Sequence, residues 1–226
     1  MPMKNIFFIA LSSTFFFVIG CSSTGIISIQ PDYTGIEYTN VASSILEDTI
    51  YGITGIEKGM SLIDKKTLQE NLFAADCMVS TIETPSVANL EIDLKCPKTN
   101  FSLFTRTDNS LCLTISQETM TEVIGFLPED TKDYIDLLMA PLFTGEELTS
   151  EEYVDVIRGI YGPSVAANLL TSTINLSFIA EKNITNIKLY PEGLGTIAKQ
   201  GNKVSFQIPL HKILSNSKKT EICIHW

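Results

Sequence analysis

Apolar and polar side chains alternate with a period of two in several stretches of the chain, which is typical of half-buried antiparallel strands. The clearest stretch places Leu90, Ile92 and Leu94 on one side, with charged side chains between them. A second one lies near the C-terminus, where Ile222 and Ile224 alternate with polar positions. Strands are predicted at 26–29, 76–83, 88–96, 101–106, 110–115, 173–181, 184–190, 195–208 and 221–226.

The period changes in residues 116–170, where apolar residues recur every three to four positions. Met120 and Ile124 follow this helical spacing, and Ser116 precedes them as an expected N-cap. Residues 149–152 read Thr-Ser-Glu-Glu, which has the form of a capping box. Helices are therefore predicted at 116–127, from Pro128 to near Pro141, from the capping box to Gly162, and at 163–170.

An earlier helix is predicted from Asp64 to Ala75, with Leu68, Leu72 and Phe73 on one face. Residues before it carry no clear period, and four glycines there disfavour one long helix. The order along the chain is strands, then helices, then strands, without the regular alternation of a parallel sheet. The predicted class is therefore α+β, a mainly antiparallel sheet with a mid-chain group of three to four short amphipathic helices packed on it.

The N-terminal segment has the features of an export signal. Lys4 supplies positive charge, and residues 6–19 form an apolar run that is shorter than the roughly 20 residues needed to span a bilayer. The tetrad Val18-Ile19-Gly20-Cys21 follows and resembles the lipobox of bacterial lipoproteins. That resemblance implies diacylation of Cys21 through a thioether, cleavage after Gly20, and acylation of the new amino group.

The same resemblance sets the expected domain organisation. Residues 1–20 would be a signal peptide, residues 21–25 the acylated cysteine with a short tether, and residues 26–226 a single ectodomain. By analogy with lipoprotein sorting, Ser22 rather than aspartate after the cysteine favours the outer membrane. The protein is therefore expected in the bacterial cell envelope, anchored by lipid, with its ectodomain outside the cytoplasm.

Four further cysteines lie at positions 77, 96, 112 and 223, and in an exported chain they allow three disulfide connectivities. A hairpin with Val79 opposite Leu94 places Cys77 opposite Cys96 on the buried face. Directly opposed side chains are close enough to form a disulfide after a small adjustment, so this pair is predicted. The same register pairs Thr81 with Ile92.

Charge limits the class of partner. The sequence has 16 Lys and Arg against 26 Asp and Glu, a formal net charge of −10. Such a surface repels phosphate backbones and anionic head groups, so nucleic acid is excluded as a partner. The lipid on Cys21, and not surface charge, is expected to hold the protein at the membrane.

Candidate catalytic chemistry is sparse. His211 and His225 are the only histidines, and both are interpreted as ordinary surface residues. Ser215 and Lys218 have the spacing of a penicillin-binding nucleophile motif, but the companion motifs are missing. The acidic residues of 128–158 are interpreted as solvated helix faces and not as a cation site. No catalytic residue, metal ligand or cofactor is predicted.

The apolar residues of the mid-chain helices could enclose a lipophilic ligand, although they are more typical of core. The sequence favours a membrane-anchored envelope lipoprotein whose ectodomain is a non-catalytic binding or structural module, with an envelope protein as a candidate partner. The alternatives are a lipid carrier and a lipid-anchored hydrolase. The apolar set is Tyr134, Leu137, Leu138, Met139, Leu142, Phe143, Tyr153, Val154, Ile157, Ile160 and Tyr161.

Overall fold

Strands and short helices make up the part of the chain that the computed structural model describes. That part is residues 22–55, 57–61, 65–74, 76–97, 103–124 and 138–226. The strands are β1 (Ser22–Ile29), β2 (Tyr33–Val41), β3 (Met78–Glu83), β4 (Leu90–Pro97), β5 (Phe104–Arg106), β6 (Ser110–Ile115), β7 (Thr173–Ile179), β8 (Asn186–Tyr190), β9 (Thr196–Gln200), β10 (Lys203–Pro209) and β11 (Thr220–His225). The helices are α1 (Ser44–Thr54), α2 (Lys65–Ala74), α3 (Gln117–Ile124), α4 (Ala140–Thr144), α5 (Ser150–Tyr161), α6 (Pro163–Thr171) and α7 (Leu210–Leu214).

The first strand lies at the centre of a seven-stranded sheet with the order β3-β4-β2-β1-β7-β10-β9. β1 pairs antiparallel with β2, which places Ser22 opposite Val41. It pairs parallel with β7, which places Ser23 opposite Ile174. The remaining neighbours are antiparallel. The predicted mixture of helices with a mainly antiparallel sheet is confirmed, with β1–β7 as the parallel pair.

One face of this sheet is buried and the other is open to solvent. Along β1, Ile27 and Ile29 are buried, whereas Thr24 is exposed and Ser28 is half-buried, as the period of two requires. Phe178 and Phe206 from β7 and β10 meet edge to face on the buried side, with ring centroids 5.7 Å apart. The helices and the second sheet therefore share one side of the seven-stranded sheet.

The second sheet has four strands in the order β5-β6-β11-β8, all antiparallel. Leu111 and Leu113 of β6 lie opposite Ile224 and Ile222 of β11, and all four side chains are buried. They belong to the same continuous apolar core as the buried face of the large sheet.

Arg106 joins the two sheets. It ends β5, and its guanidinium donates hydrogen bonds to the carbonyl oxygens of Gln30 and Tyr33 and to Thr34 Oγ1, the last at 2.8 Å. Glu181 lies 4.0 Å from the same group. Because residues 30–33 form the turn between β1 and β2, the second sheet covers that end of the large sheet, which we call the far end.

Helices gather at the opposite end, where β1 begins, which we call the near end. α1 follows β2 directly, α6 leads directly into β7, and α7 follows β10. α1 packs on α6, and α5 packs on α6 and α7. The helices are thus distributed more widely than the predicted mid-chain group, since α1 and α2 precede β3 and α7 lies between β10 and β11.

Several helix predictions are met in detail. Thr149 Oγ1 accepts from the Glu152 N–H at 3.2 Å, and Glu152 Oε2 accepts from the Thr149 N–H at 2.8 Å, which completes the capping box. Ser116 Oγ likewise accepts from the Thr119 N–H at 3.3 Å. Most of the helix predicted from Pro128 lies outside the described residues.

The predicted apolar face of the second helix is wrong at one position. Leu72 is fully buried, but the side chain of Phe73 is 81% exposed. Successive residues of a helix point about 100° apart, so the face of α2 that packs on β3 can bury Leu72 and leave Phe73 in solvent. The side chain of Leu68 is outside those that the structure describes.

The predicted tether at 22–25 is instead the first half of β1. Its small side chains fit a tightly packed strand: a Cβ on Gly25 would lie 2.9 Å from Leu176 Cδ2, and Ser23 is buried. The sequence does not predict β2, because its inward side begins and ends with the polar residues Thr34 and Asn40, which are buried. A period-two pattern of hydrophobicity is therefore lost there.

Candidate functional site

The residues of the lipobox-like tetrad, including Gly20 and Cys21, lie outside the described residues. Ser22, the next residue, is already paired with Val41 in the sheet. In the sequence, a single peptide bond separates Cys21 from Ser22. A lipid on Cys21 would have no slack between itself and the folded body.

Hydrogen bonds hold the near end together. Asn40, buried at the end of β2, donates from Nδ2 to the Ala88 carbonyl oxygen at 2.5 Å. Two residues later, the Ala42 N–H donates to Asn89 Oδ1 at 2.6 Å. These bonds attach the loop before β4 to the segment between β2 and α1.

Apolar side chains are exposed around the same point. Val41 is 58% exposed, Ile45 in the first turn of α1 is 48% exposed, and Leu170 near the end of α6 is 47% exposed. The strands that precede α1 and follow α6 are the two neighbours of β1. These strand ends therefore lie about 10 Å apart, with Ser22 between them. We call Val41, Ile45 and Leu170 the collar.

The sequence around the collar is free of charge. The acidic chain has charged residues at 19% of its positions, yet four stretches that meet at the near end contain none. In the sequence, these charge-free stretches are what could have indicated the collar. The sequence alone does not show that they lie at the same end of the sheet, which the strand register establishes. They are residues 22–29, 40–46, 84–90 and 163–180.

The open face of the large sheet is a second candidate surface. On the β7–β10 side it carries hydroxyl and amide groups, with Ser177 Oγ and Ser205 Oγ 2.8 Å apart. Asn175 Nδ2 donates to Thr173 Oγ1 at 3.3 Å. On the β2–β4 side the face is acidic, with exposed carboxylates at Glu37 and Glu91. This rigid array of donors and acceptors suits a polar protein surface, whose groups it could pair with directly.

The structure joins Cys77 to Cys96 by a disulfide across the β3–β4 hairpin, with their Cα atoms 4.3 Å apart. Val79 lies opposite Leu94 as predicted, but Thr81 lies opposite Asp93 and not opposite Ile92. The pairing shifts at a β-bulge between Val79 and Thr81, which adds one residue to β3. The register argument thus applies only to the half of the hairpin that contains the cysteines.

A second disulfide links Cys112 to Cys223, which lie directly opposite each other on β6 and β11. It is on the outward side of the second sheet, near Glu221, which pairs with Lys188 and Lys219. Hydrogen bonds from these two lysines lower the pKa of Glu221. Both disulfides therefore tie neighbouring strands within one sheet, and Arg106 ties the two sheets to each other.

His211 and the candidate serine lie at the two ends of α7, whereas His225 lies on β11. His211 is in the first turn of α7, where desolvation lowers its pKa and the nearby Leu169 carbonyl partly offsets this. Ser215 ends α7 and is buried, with its N–H bonded to the His211 carbonyl oxygen at 3.0 Å. His225 ends β11, and its carbonyl oxygen accepts from the Thr185 N–H at 2.6 Å. The backbone bonds of Ser215 and His225 are those of ordinary structural residues.

The described members of the predicted apolar helix set mostly form core. Tyr153, Val154 and Ile157 of α5 are buried, and the Tyr153 hydroxyl donates to the Leu138 carbonyl oxygen at 2.6 Å. Burial raises the pKa of Tyr153. Ile160 is exposed and faces away from this cluster, while Tyr134 and Leu137 lie outside the described residues.

The acidic segment shows local pairing where it is described. Arg158 pairs with Asp155 one helical turn away, and Lys218 pairs with Glu147 at 3.0 Å. Within the described ranges, no group of three or more His, Cys, Asp or Glu side chains could hold a metal ion. No helix among those described is long and apolar enough to cross a membrane.

Comparison of the chain with protein-family models, with curated proteins and with solved structures found no match.

Proposed function

We propose that this protein is a lipid-anchored component of the bacterial cell envelope whose ectodomain binds a protein partner without catalysing a reaction. The observation that carries the proposal is the Val18–Cys21 tetrad followed at once by the central strand of the fold.

The anchor would consist of acyl chains on Cys21. Each buried methylene contributes about 0.8 kcal/mol, and two or more chains hold a protein stably whereas one holds it only marginally. The serine at position 22 supports placement at the outer membrane. The net charge of −10 would give no attraction to anionic head groups, so retention depends on the lipid.

The binding surface in this proposal is the open face of the seven-stranded sheet. Its side chains are held on a rigid sheet, and Ser177 and Ser205 present hydroxyl groups to solvent within hydrogen-bonding distance of each other. The helices of residues 116–171 would serve as one amphipathic layer over the buried side. An envelope protein with matching polar groups is the partner that this arrangement favours.

Replacement of the modified cysteine tests the anchor. Cys21→Ser is expected to abolish incorporation of a clickable palmitate analogue and to move the protein from the membrane to the soluble fraction. Ser22→Ala is the matched control, because it changes the neighbouring residue but keeps the thiol. Labelling and membrane retention that persist in Cys21→Ser would overturn the proposal.

A further inference from the structure

The collar has the composition and the position of a surface that touches the bilayer. It lies at the end of the sheet where β1 begins, one residue from the site of lipid attachment. We propose that Val41, Ile45 and Leu170 insert into the interface of the membrane that carries the Cys21 lipid. This inference rests on the proposed lipid anchor and adds a second, direct contact between protein and bilayer.

The short link to the lipid constrains the geometry. Acyl chains on Cys21 start within a few ångströms of Ser22, because only one peptide unit separates them. Ser22 in turn is paired with Val41, which is 58% exposed on the same side of the sheet. When the chains are buried in hydrocarbon, the near end is therefore drawn against the head groups.

Burial of the collar in the bilayer interface is energetically favourable once the lipid holds the near end at the membrane surface. Apolar surface removed from water contributes about 25 cal/mol per Å², and the collar side chains are roughly half exposed in the isolated protein. The lipid has already restricted the protein to the surface, so collar burial adds to binding without a further loss of translational freedom. Three side chains would be too weak to recruit the protein alone but sufficient to orient it.

Charge supports the same assignment. The four stretches around the collar carry no charged residue, so the collar itself meets the head groups without desolvating a charge. The exposed Glu91 lies opposite Thr39 on the open face, two residues before Val41 along the sheet. The acids closest to it in sequence, Glu47 and Asp48, are each engaged: Glu47 accepts from Ser86 and Asp48 pairs with Lys58. A partner protein with charged contacts is not favoured by such a surface, and a lipid surface is.

Tryptophan fluorescence in vesicles tests this contact. The acylated full-length protein, with Trp226→Phe to remove its own signal, receives a single tryptophan by Ile45→Trp. Phe73→Trp is the control, because Phe73 is 81% exposed but its helix leads into Cys77 at the far end. Proteins are reconstituted into phosphatidylcholine vesicles that contain brominated acyl chains.

The expected result is a blue-shifted emission and at least twofold quenching for Ile45→Trp, with neither change for Phe73→Trp. Equal, water-like emission from both variants, while both proteins still float with the vesicles, would overturn the collar contact and leave the anchor intact. Failure of both to float with vesicles would overturn the anchor and, with it, the collar. Quenching of both equally would mean a protein lying on its side, which also contradicts the proposal.

Discussion

The guanidinium of Arg106 lies between the two sheets, where only 3% of its side chain is exposed. It donates to the carbonyl oxygens of Gln30 and Tyr33 at the β1–β2 turn, and the Tyr33 oxygen also accepts from the Gln30 N–H. Burial lowers its pKa, and Glu181 partly offsets this, but an arginine stays protonated at any physiological pH. A single residue therefore holds the second sheet to the far end through hydrogen bonds rather than through apolar contact alone.

Arg106→Met keeps much of the side-chain volume and removes every donor. Leaving buried acceptors unsatisfied costs about 1–3 kcal/mol, so urea unfolding is expected to show a loss of that size. Arg158→Met is the control, because Arg158 is half exposed and pairs with Asp155 within its own helix. Exposed pairs of this kind contribute at most about 1 kcal/mol. Equal losses in the two variants would contradict the role given to Arg106.

At the scale of elements, an element is predicted correctly from the sequence when residues close together in the sequence specify it. The capping box at Thr149 and the hairpin of β3 and β4 are readable because a few adjacent residues specify each of them. β2 could not be predicted from the sequence, because its buried face contains the polar residues Thr34 and Asn40. Their hydrogen-bond partners, Arg106 and Ala88, are distant in sequence. The collar could not be predicted from the sequence for the same reason, since its residues are distant in sequence and the order of the strands brings their elements together.

The two disulfides span very different lengths of chain and should contribute unequally. Cys77–Cys96 encloses a separation of 19 residues and Cys112–Cys223 one of 111. In the chain-entropy model the longer loop stabilises by roughly 1.5 kcal/mol more. Cys112→Ser with Cys223→Ser is therefore expected to lower the urea midpoint further than Cys77→Ser with Cys96→Ser.

Non-reducing peptide mapping of the unmodified protein accompanies that measurement. It should recover the peptide pairs 77–96 and 112–223, and any crossed pair would contradict the strand registers on which both bonds depend. If Cys77→Ser with Cys96→Ser proves the less stable of the two variants, then interactions in the folded state near the β-bulge outweigh the difference in loop entropy between the two disulfides.

At the scale of the whole molecule, the collar contact and the open face together set an orientation. With the near end at the bilayer, the strands run away from it, and the eight residues of β1 rise about 25 Å. The open face then stands upright beside the membrane. A partner anchored in the same membrane could reach this face, whereas the second sheet lies at the end farther from the lipid.

Photo-cross-linking in cells tests the open face. A cross-linking residue at Thr39, exposed on this face in β2, is expected to capture a defined membrane-associated protein. The same residue at Thr105, exposed on the outward side of the second sheet, serves as the control. Equal products from both positions, or none from Thr39, would contradict the assignment of the binding surface.

The parallel pairing of β1 with β7 also bears on the order of events during export. If the chain is exported as proposed, β1 would cross the membrane long before Thr173–Ile179, the strand that lies beside it. Until then one side of β1 has no neighbour, and pairing across such a separation forms late. If Cys21 is acylated as proposed, the segment next to it would therefore remain accessible while the acyl chains are added. Completion of the sheet would then bring the attached lipid against the body of the protein.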